Sequence, residues 1–268
     1  MDSLIFVQSE NLLEQHTLQW YAESSMSNLY TKEFDQETFT EATALLDYQA
    51  PTIVALIKER GWRSITNKTE QIEAIYKMVR DEILYGYTDH FAIPASEVLH
   101  LGMGNCLTKT TILLALLRAV GVPCKMQAAM IGRVLHRGLL KGLFLRLSPS
   151  TLFHSWVSVW YQDRWINLAG HIVDRPYLDK LQKRYPDYMG SFYGYGIATL
   201  NFRNPLVNWE GGQSGIQDRA IQGELGPFHD PDSFFSAHPE AERRTQSLRY
   251  RHFLKPILNK NIMRIRER

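Results

Sequence analysis

Residues 102–124 read Gly-Met-Gly-Asn-Cys-Leu-Thr-Lys-Thr-Thr-Ile-Leu-Leu-Ala-Leu-Leu-Arg-Ala-Val-Gly-Val-Pro-Cys, and this stretch sets the fold. The two glycines permit a tight turn with unusual backbone angles. A helix is predicted from about Cys106 to Val120, because Ile112, Leu113, Leu116, Leu117 and Val120 form a wide apolar stripe and Gly121 stops it. A thiol on the first turn of such a helix meets unpaired backbone N–H groups and the positive end of the helix dipole. Both favour thiolate, and cysteines so placed reach a pKa of about 3.5–7.5. The same N–H groups suit an oxyanion on an attacked carbonyl. The competing reading of Cys106 is a small buried core residue.

Working outward, Pro51 to Arg60 reads as a helix stopped by Gly61. Thr69 is placed to cap a second helix whose apolar face is Ile72, Ile75, Tyr76, Val79 and Ile83, ending at Gly86. Pro94 to Leu99 suggests a short third helix. Downstream, Pro123 opens a β-like run from Cys124 to Ile131, and residues 133–150 read as an excursion. Thr151 to Tyr161 is rich in aromatic and β-branched residues and reads as a strand. Gln162-Asp163 is the turn of a hairpin returning through Arg164 to Leu168. Pro176 to Tyr185 suits a short helix, residues 186–232 read as loop-rich, and the tail from Glu240 is helical in composition with a break or kink at Pro256. Helices followed by a run of strands indicate an α+β fold with an antiparallel sheet.

A nucleophilic cysteine needs a base, usually histidine. His154 lies within the predicted strand and shares a face with Leu152, Trp156, Ser158 and Trp160. An ionisable ring among tryptophans must be satisfied either in a cleft beside Cys106 or by backbone groups of a core. Cys124 alternates with Val122, Met126 and Ala128 and reads as packing. No His-Glu-x-x-His, Cys-x-x-Cys or phosphate-loop pattern occurs, so no metal or other cofactor is expected. Tyr193 and Tyr195, in the cluster Gly190 to Gly196, are candidate cleft-lining residues along with Trp156; a packed loop is the plainer reading.

The chain of 268 residues is 44% hydrophobic and 22% charged, ordinary values for a globular protein. Two cysteines exclude a disulfide framework and a four-thiolate zinc site. The apolar run Leu4 to Val7 is too short for a secretory signal, and no stretch is long enough to span a bilayer; a cytoplasmic, reducing location is expected. The net charge of +2 divides unevenly, with an acidic body and a basic tail over residues 241–268. That tail could touch nucleic acid or an anionic membrane surface. The plainer reading is a helix docked on the acidic body through Leu248, Phe253, Leu254, Ile257, Leu258 and Ile262.

Several of these segments together resemble the transglutaminase-like family of the papain-like cysteine protease superfamily. The residues that carry the resemblance are Ala95-Ser-Glu-Val-Leu, Gly102-x-Gly-x-Cys106, Leu113-Leu-x-x-Leu-Leu-Arg-Ala-x-Gly-Val-Pro123, and His154-Ser-Trp-Val-x-Val with its hairpin to Trp165. Upstream, Ile75-Tyr-x-x-Val-Arg-Asp-x-Ile-x-Tyr85 is similar to the helix that precedes the cysteine segment in that family. The resemblance spans roughly residues 70–180; the end of the chain, from Trp209 to Arg266, also looks like that of uncharacterised bacterial members. It implies a papain-like α+β domain with a Cys-His-Asp triad, Cys106 as nucleophile and His154 as base, acting on a peptide or protein amide through a thioester. The family's acid sits four residues after the hairpin tryptophan, where this chain has Ala169. Asn167, on the same strand face, is the first substitute, since asparagine orients histidine in Cys-His-Asn proteases. Asp174 keeps the charge but requires its loop to curl back. Ala169 therefore leaves two readings: a cysteine-dependent amide hydrolase or acyltransferase, and a catalytically weak domain that binds a peptide or protein partner. The expected organisation is an N-terminal helical part (1–69), the transglutaminase-like core (70–180), a loop-rich extension (181–240) and the basic tail (241–268).

Overall fold

The computed structural model describes residues 38–267, which lie in one compact unit. The start of the expected N-terminal helical part, with the apolar run Leu4 to Val7, lies outside the described residues. Helix α1 (Pro51–Arg60) has Pro51 in its first turn and ends at Gly61 with φ 65°. Helix α2 (Lys68–Glu82) is capped by Asn67, whose side chain accepts from the N–H groups of Thr69 and Glu70; Thr69 is not the cap. The helix ends before Gly86, because the short strand β1 (Leu84–Tyr85) intervenes. Helix α3 (Ala95–Leu101) leads through Gly102 to strand β2 (Met103–Gly104), and β1 and β2 pair in parallel.

Helix α4 (Cys106–Ala119) is buried from Leu107 to Arg118 and forms the spine of the molecule. The Arg118 guanidinium is buried because carbonyl oxygens satisfy it: Cys124 at 3.0 Å, Glu41 at 2.8 Å and His229 at 2.6 Å. Strand β3 (Cys124–Gly132) follows, then a helical excursion containing α5 (Gly142–Leu147), and then β4 (Thr151–Tyr161) and β5 (Arg164–Ala169). Gln162 and Asp163 both take positive φ, 51° and 58°, as a two-residue hairpin turn requires. Helix α6 (Arg175–Arg184) is capped by Asp174.

The stretch predicted to be loop holds four strands: β6 (Phe192–Gly194), β7 (Ile197–Thr199), β8 (Ser214–Gly215) and β9 (Ile221–Phe228). Strand β9 pairs antiparallel with β3 and β8 pairs parallel with β5, giving a five-stranded sheet in the order β8-β5-β4-β3-β9. Gly223, Gly226 and Pro227 hide β9 from pattern reading. It lies at the sheet edge with two register shifts, where such residues are tolerated.

The tail begins with the short helices α7 (Pro231–Ala237) and α8 (Pro239–Arg243). A π turn over Tyr250–Leu254 then runs into α9 (Lys255–Glu267). The π turn meets the problem at Pro256, which has no N–H to give the preceding turn. Leu258, Ile262 and Ile265 bury one face of α9 against α6 and its surroundings, so the basic tail docks on the body. One core joins α1, α2 and α4 to one face of the sheet through Met126, Val157, Val159 and Leu168. A second gathers α6, α9 and Phe192, Phe202 and Val207. Among the described residues, no helix is long and apolar enough to cross a membrane.

Candidate active site

The turn that presents Cys106 is held at both ends. Gly102 closes α3 with φ 61°, and a Cβ on Gly104 would collide with the Thr108 hydroxyl. Asn105 caps α4: its side chain accepts from the N–H groups of Leu107 (2.9 Å) and Thr108 (3.3 Å), while Thr108 Oγ1 accepts from the Asn105 N–H. Cys106 is thus the first residue of a capped, buried helix. Its Sγ donates to the Phe153 carbonyl at 3.7 Å, and the Ser155 N–H faces the sulfur. Those peptide groups flank His154, so the thiol lies against the backbone of His154. The Ser155 hydroxyl closes the arrangement by donating to the Cys106 carbonyl at 3.3 Å.

The electrostatics differ from the sequence expectation. Burial pushes the Cys106 thiol up to about 11, and the N–H groups of Ser155, Leu107 and Cys106 itself only partly oppose it. Burial likewise drives His154 down to about 3. Both groups are therefore neutral at rest; what touches the sulfur is the backbone on either side of His154, and the imidazole is not among the residues lining the cavity that Cys106 opens onto. The expectation of a depressed thiol counted the helix end and missed the enclosure of the sulfur.

His154 is fully buried on β4, opposite Ala129 of β3. Phe153, Val157 and Val159 turn into the core beside α4. By alternation His154, Trp156 and Ser158 take the other face. The imidazole lies over Trp156 with centroids 5.4 Å apart, and its Nδ1 is buried with no hydrogen-bond partner.

Neither expected orienter meets that nitrogen. Asn167 pairs with Ser158 across β4–β5; its Oδ1 accepts from the Ser158 hydroxyl and its N–H donates to Gln213 Oε1 at 2.8 Å. Ser158 lies four positions from His154, roughly 13 Å along a strand. Asp174 is spent elsewhere: it accepts from the Tyr85 N–H (2.8 Å), the Tyr177 N–H (3.0 Å) and both terminal nitrogens of Arg266. Continuing the β4–β5 register one step past Leu168 brings Ala169, the last residue of β5, opposite Trp156. His171 is buried, with Nδ1 2.9 Å from the Leu168 carbonyl and Nε2 3.5 Å from Thr110 Oγ1. Lys109, also wholly buried, donates to the Arg80 carbonyl at 2.9 Å, and burial lowers it to about 7.

Cys106 opens onto a cavity of about 430 Å³. Tyr85, Tyr87, His136 and Gln217 are among its lining residues, and the tail contributes Arg244, Arg249, Tyr250, Leu254 and Leu258. Sequence reading missed His136 and Gln217 because no motif marks them. It also missed that the tail walls the cavity. Trp156, Tyr193 and Tyr195 are not among its lining residues. Tyr195 instead bonds the Tyr185 hydroxyl at 2.8 Å, and Tyr193 pairs with Ala198 in the β6–β7 hairpin. Cys124 is enclosed in the core, its Sγ 3.7 Å from the Leu114 carbonyl. Among the described residues, no group of three or more His, Cys, Asp or Glu could hold a metal ion.

Comparison with known proteins bears on the fold. The sequence pattern of the transglutaminase-like superfamily matches residues 57–169, from the end of α1 to the end of β5. No curated protein matches the chain. A candidate cysteine protease from Cytophaga hutchinsonii, known from a crystal structure, is similar at 13% identity with a TM-score of 0.43. That match covers 75% of this chain and 49% of the other, so the chain spans about half the length of that relative. The capped turn before Cys106, the buried helix α4 and the hairpin carrying His154 all fall within the matched residues, a segment of the chain that is similar to the transglutaminase-like superfamily.

Proposed function

We propose that the protein is a cysteine-dependent amide hydrolase or acyltransferase with Cys106 as nucleophile and His154 as base. The observation that carries this is the seating of Cys106 Sγ against the peptide groups on either side of His154, in the lining of a cavity of about 430 Å³. As Sγ attacks an amide carbonyl, its proton passes to His154 and a sulfur–carbon bond forms. The developing oxyanion is served by the N–H groups of Cys106 and Ser155. The protonated imidazole returns the proton to the departing amine, leaving a thioester. Water or a second amine then takes the acyl group and frees the thiol. The substrate is a peptide or protein amide, and no cofactor enters. Two unpaired cysteines suit a reducing compartment such as the cytoplasm. The basic tail walls the cavity; a nucleic-acid or membrane role for it is the lesser reading, because Leu254, Leu258, Ile262 and Ile265 are already packed on the body, whereas Leu248 and Phe253, also expected to dock, stay exposed.

A second reading has an observation of its own. The acid position holds Ala169, and the unpartnered Nδ1 of His154 has nothing to hold its tautomer. A domain that binds a peptide without turnover would tolerate both.

Mass-spectrometric capture of an acyl adduct from a library of peptide amides separates the two. The enzyme reading expects an adduct on Cys106 that is absent in Cys106→Ala and falls by at least ~10²-fold in His154→Ala. Binding without any adduct favours the second reading. Equal adduct yield in His154→Ala removes the assigned base.

A further inference from the structure

Helix α5 is apolar in sequence and uncovered in the fold. It reads Gly142-Leu-Phe-Leu-Arg-Leu147, four large apolar residues in six, and none of them is buried. Leu143 is 67% exposed, and Phe144 and Leu147 are exposed beside it. The helix is nonetheless fixed in place. Leu145 packs on the second core, and the Ser148 hydroxyl donates to the Leu145 carbonyl at 2.8 Å. Arg133 donates to the carbonyls of Arg146 at 3.2 Å and Ser148 at 3.1 Å. An apolar patch held in water in this way marks an interaction surface.

The tail extends the patch. Arg249 donates to the Leu147 carbonyl at 3.3 Å, which brings the start of the π turn beside α5. Leu248 is 72% exposed, and Phe253, across the π turn, is exposed as well. The tail alone offers a partner little apolar surface, since Leu254, Leu258, Ile262 and Ile265 are packed inward; α5 completes it. The charges of both segments have one sign: neither residues 133–150 nor residues 243–266 contain an Asp or Glu. Arg146 and Arg249 are exposed, and among the described residues neither they nor Arg133 form a salt bridge. Asp89, whose carboxylate feels Arg251, is already engaged by Lys255.

Charge and apolarity together select the occupant. A second copy of this chain would bring the same uncompensated arginines face to face, and like charges repel. A nucleic acid would take the arginines on its phosphates and leave the leucines in water. An anionic bilayer answers both, with headgroups for the arginines and an acyl boundary for side chains that protrude from a short helix and a turn. We propose that α5 and residues 248–253 dock on an anionic lipid bilayer, with Leu143, Phe144, Leu147, Leu248 and Phe253 entering the acyl boundary and Arg146 and Arg249 at the headgroups. This surface borders the Cys106 cavity, whose lining includes Pro149, Ser247 and Arg249, but docking does not depend on the thioester reading.

The test is co-sedimentation of the full chain with two kinds of vesicle, phosphatidylcholine alone and phosphatidylcholine with phosphatidylserine in equal parts. Binding to the mixed vesicles is expected to be at least about tenfold tighter, and to weaken as salt rises. Arg146→Gln with Arg249→Gln lowers it about 25-fold, at about fivefold for each charge. Leu143→Ser with Leu248→Ser lowers it at least about tenfold at unchanged charge. All four positions are exposed, so each variant should melt with wild type; the two pairs are read separately, so loss of fold in one leaves the other as the test. Equal binding to the two vesicles, or binding to neither, overturns the proposal. So does mixed-vesicle binding that the leucine pair leaves unchanged, since that is attraction by charge alone. A dimer in solution that Leu143→Ser with Leu248→Ser dissociates gives the patch to a second copy and overturns it too.

Discussion

Asp174 and Arg266, 92 positions apart, form a two-point pair, with Nη1 2.5 Å from Oδ1 and Nη2 2.6 Å from Oδ2. The carboxylate is fully buried, and the same guanidinium donates to the Tyr85 carbonyl at 2.9 Å. The pair ties α9 to the start of α6 and to the strand β1 that supports the Cys106 turn. Arg266→Ala leaves the buried carboxylate without its cation and is expected to cost about 3 kcal/mol. Burial alone would raise Asp174, but Arg266, Lys109 and the Tyr85 N–H outweigh it and hold it below the usual carboxylate range. This contribution is therefore present above the unfolded pKa of about 3.9 and is lost as pH falls through the lower folded value. Urea titrations should show the gap between wild type and Arg266→Ala narrowing only below about pH 4. A gap that is constant down to pH 2 would mean the pair carries no such charge.

Alkylation of Cys106 reports the resting protonation state. With the thiol pushed up to about 11, the iodoacetamide rate in free protein should rise about tenfold per pH unit between pH 6 and 9. A rate already at its plateau at pH 6 would show that the thiolate, not the thiol, rests in the cavity. Cys106→Ala gives the background from Cys124.

His154→Leu separates function from stability. The imidazole is buried with an unpaired nitrogen, so an apolar replacement of similar size should change unfolding free energy by less than about 1 kcal/mol, or increase it. Adduct formation at Cys106 should fall sharply in the same protein. A loss of several kcal/mol would make His154 a structural residue instead.

Ala169→Asp puts an acid back at the family's position. Position 169 lies opposite Trp156 in the continued register and so diagonal to His154, where a carboxylate reaches the neighbouring side chain. The new charge should raise the imidazole from about 3 and speed single-turnover acylation by at least tenfold, at some cost in stability. An unchanged acylation rate with the fold intact would show that orientation of His154 does not limit the chemistry.

The sequence was most legible where one period dominates. The alternation of Thr151 to Tyr161 and the stripe on α4 place strand and helix with nearly the observed bounds. Cys106 at a helix start was readable from Gly-x-Gly-Asn, because capping is local chemistry. Strand β9 was not, since edge strands tolerate the glycines and proline that pattern reading takes for loop. The third residue of the site was missed for a related reason. Asn167 shares the expected strand face but pairs with Ser158, four positions from His154, and Asp174 had an unforeseen partner in Arg266. The pKa of Cys106 went the other way because the sequence displays the helix end but not the walls around the sulfur.

Strand β9, the π turn and α9 all come from residues after position 220, yet they supply an edge of the central sheet and a wall of the cavity. During synthesis the ribosome releases Cys106, His154 and their hairpin well before those segments exist. Until they do, the cavity beside Cys106 lacks the wall that Tyr250, Leu254 and Leu258 give it. A ribosome-stalled nascent chain ending near position 220 should accordingly alkylate at Cys106 faster at neutral pH than the finished protein.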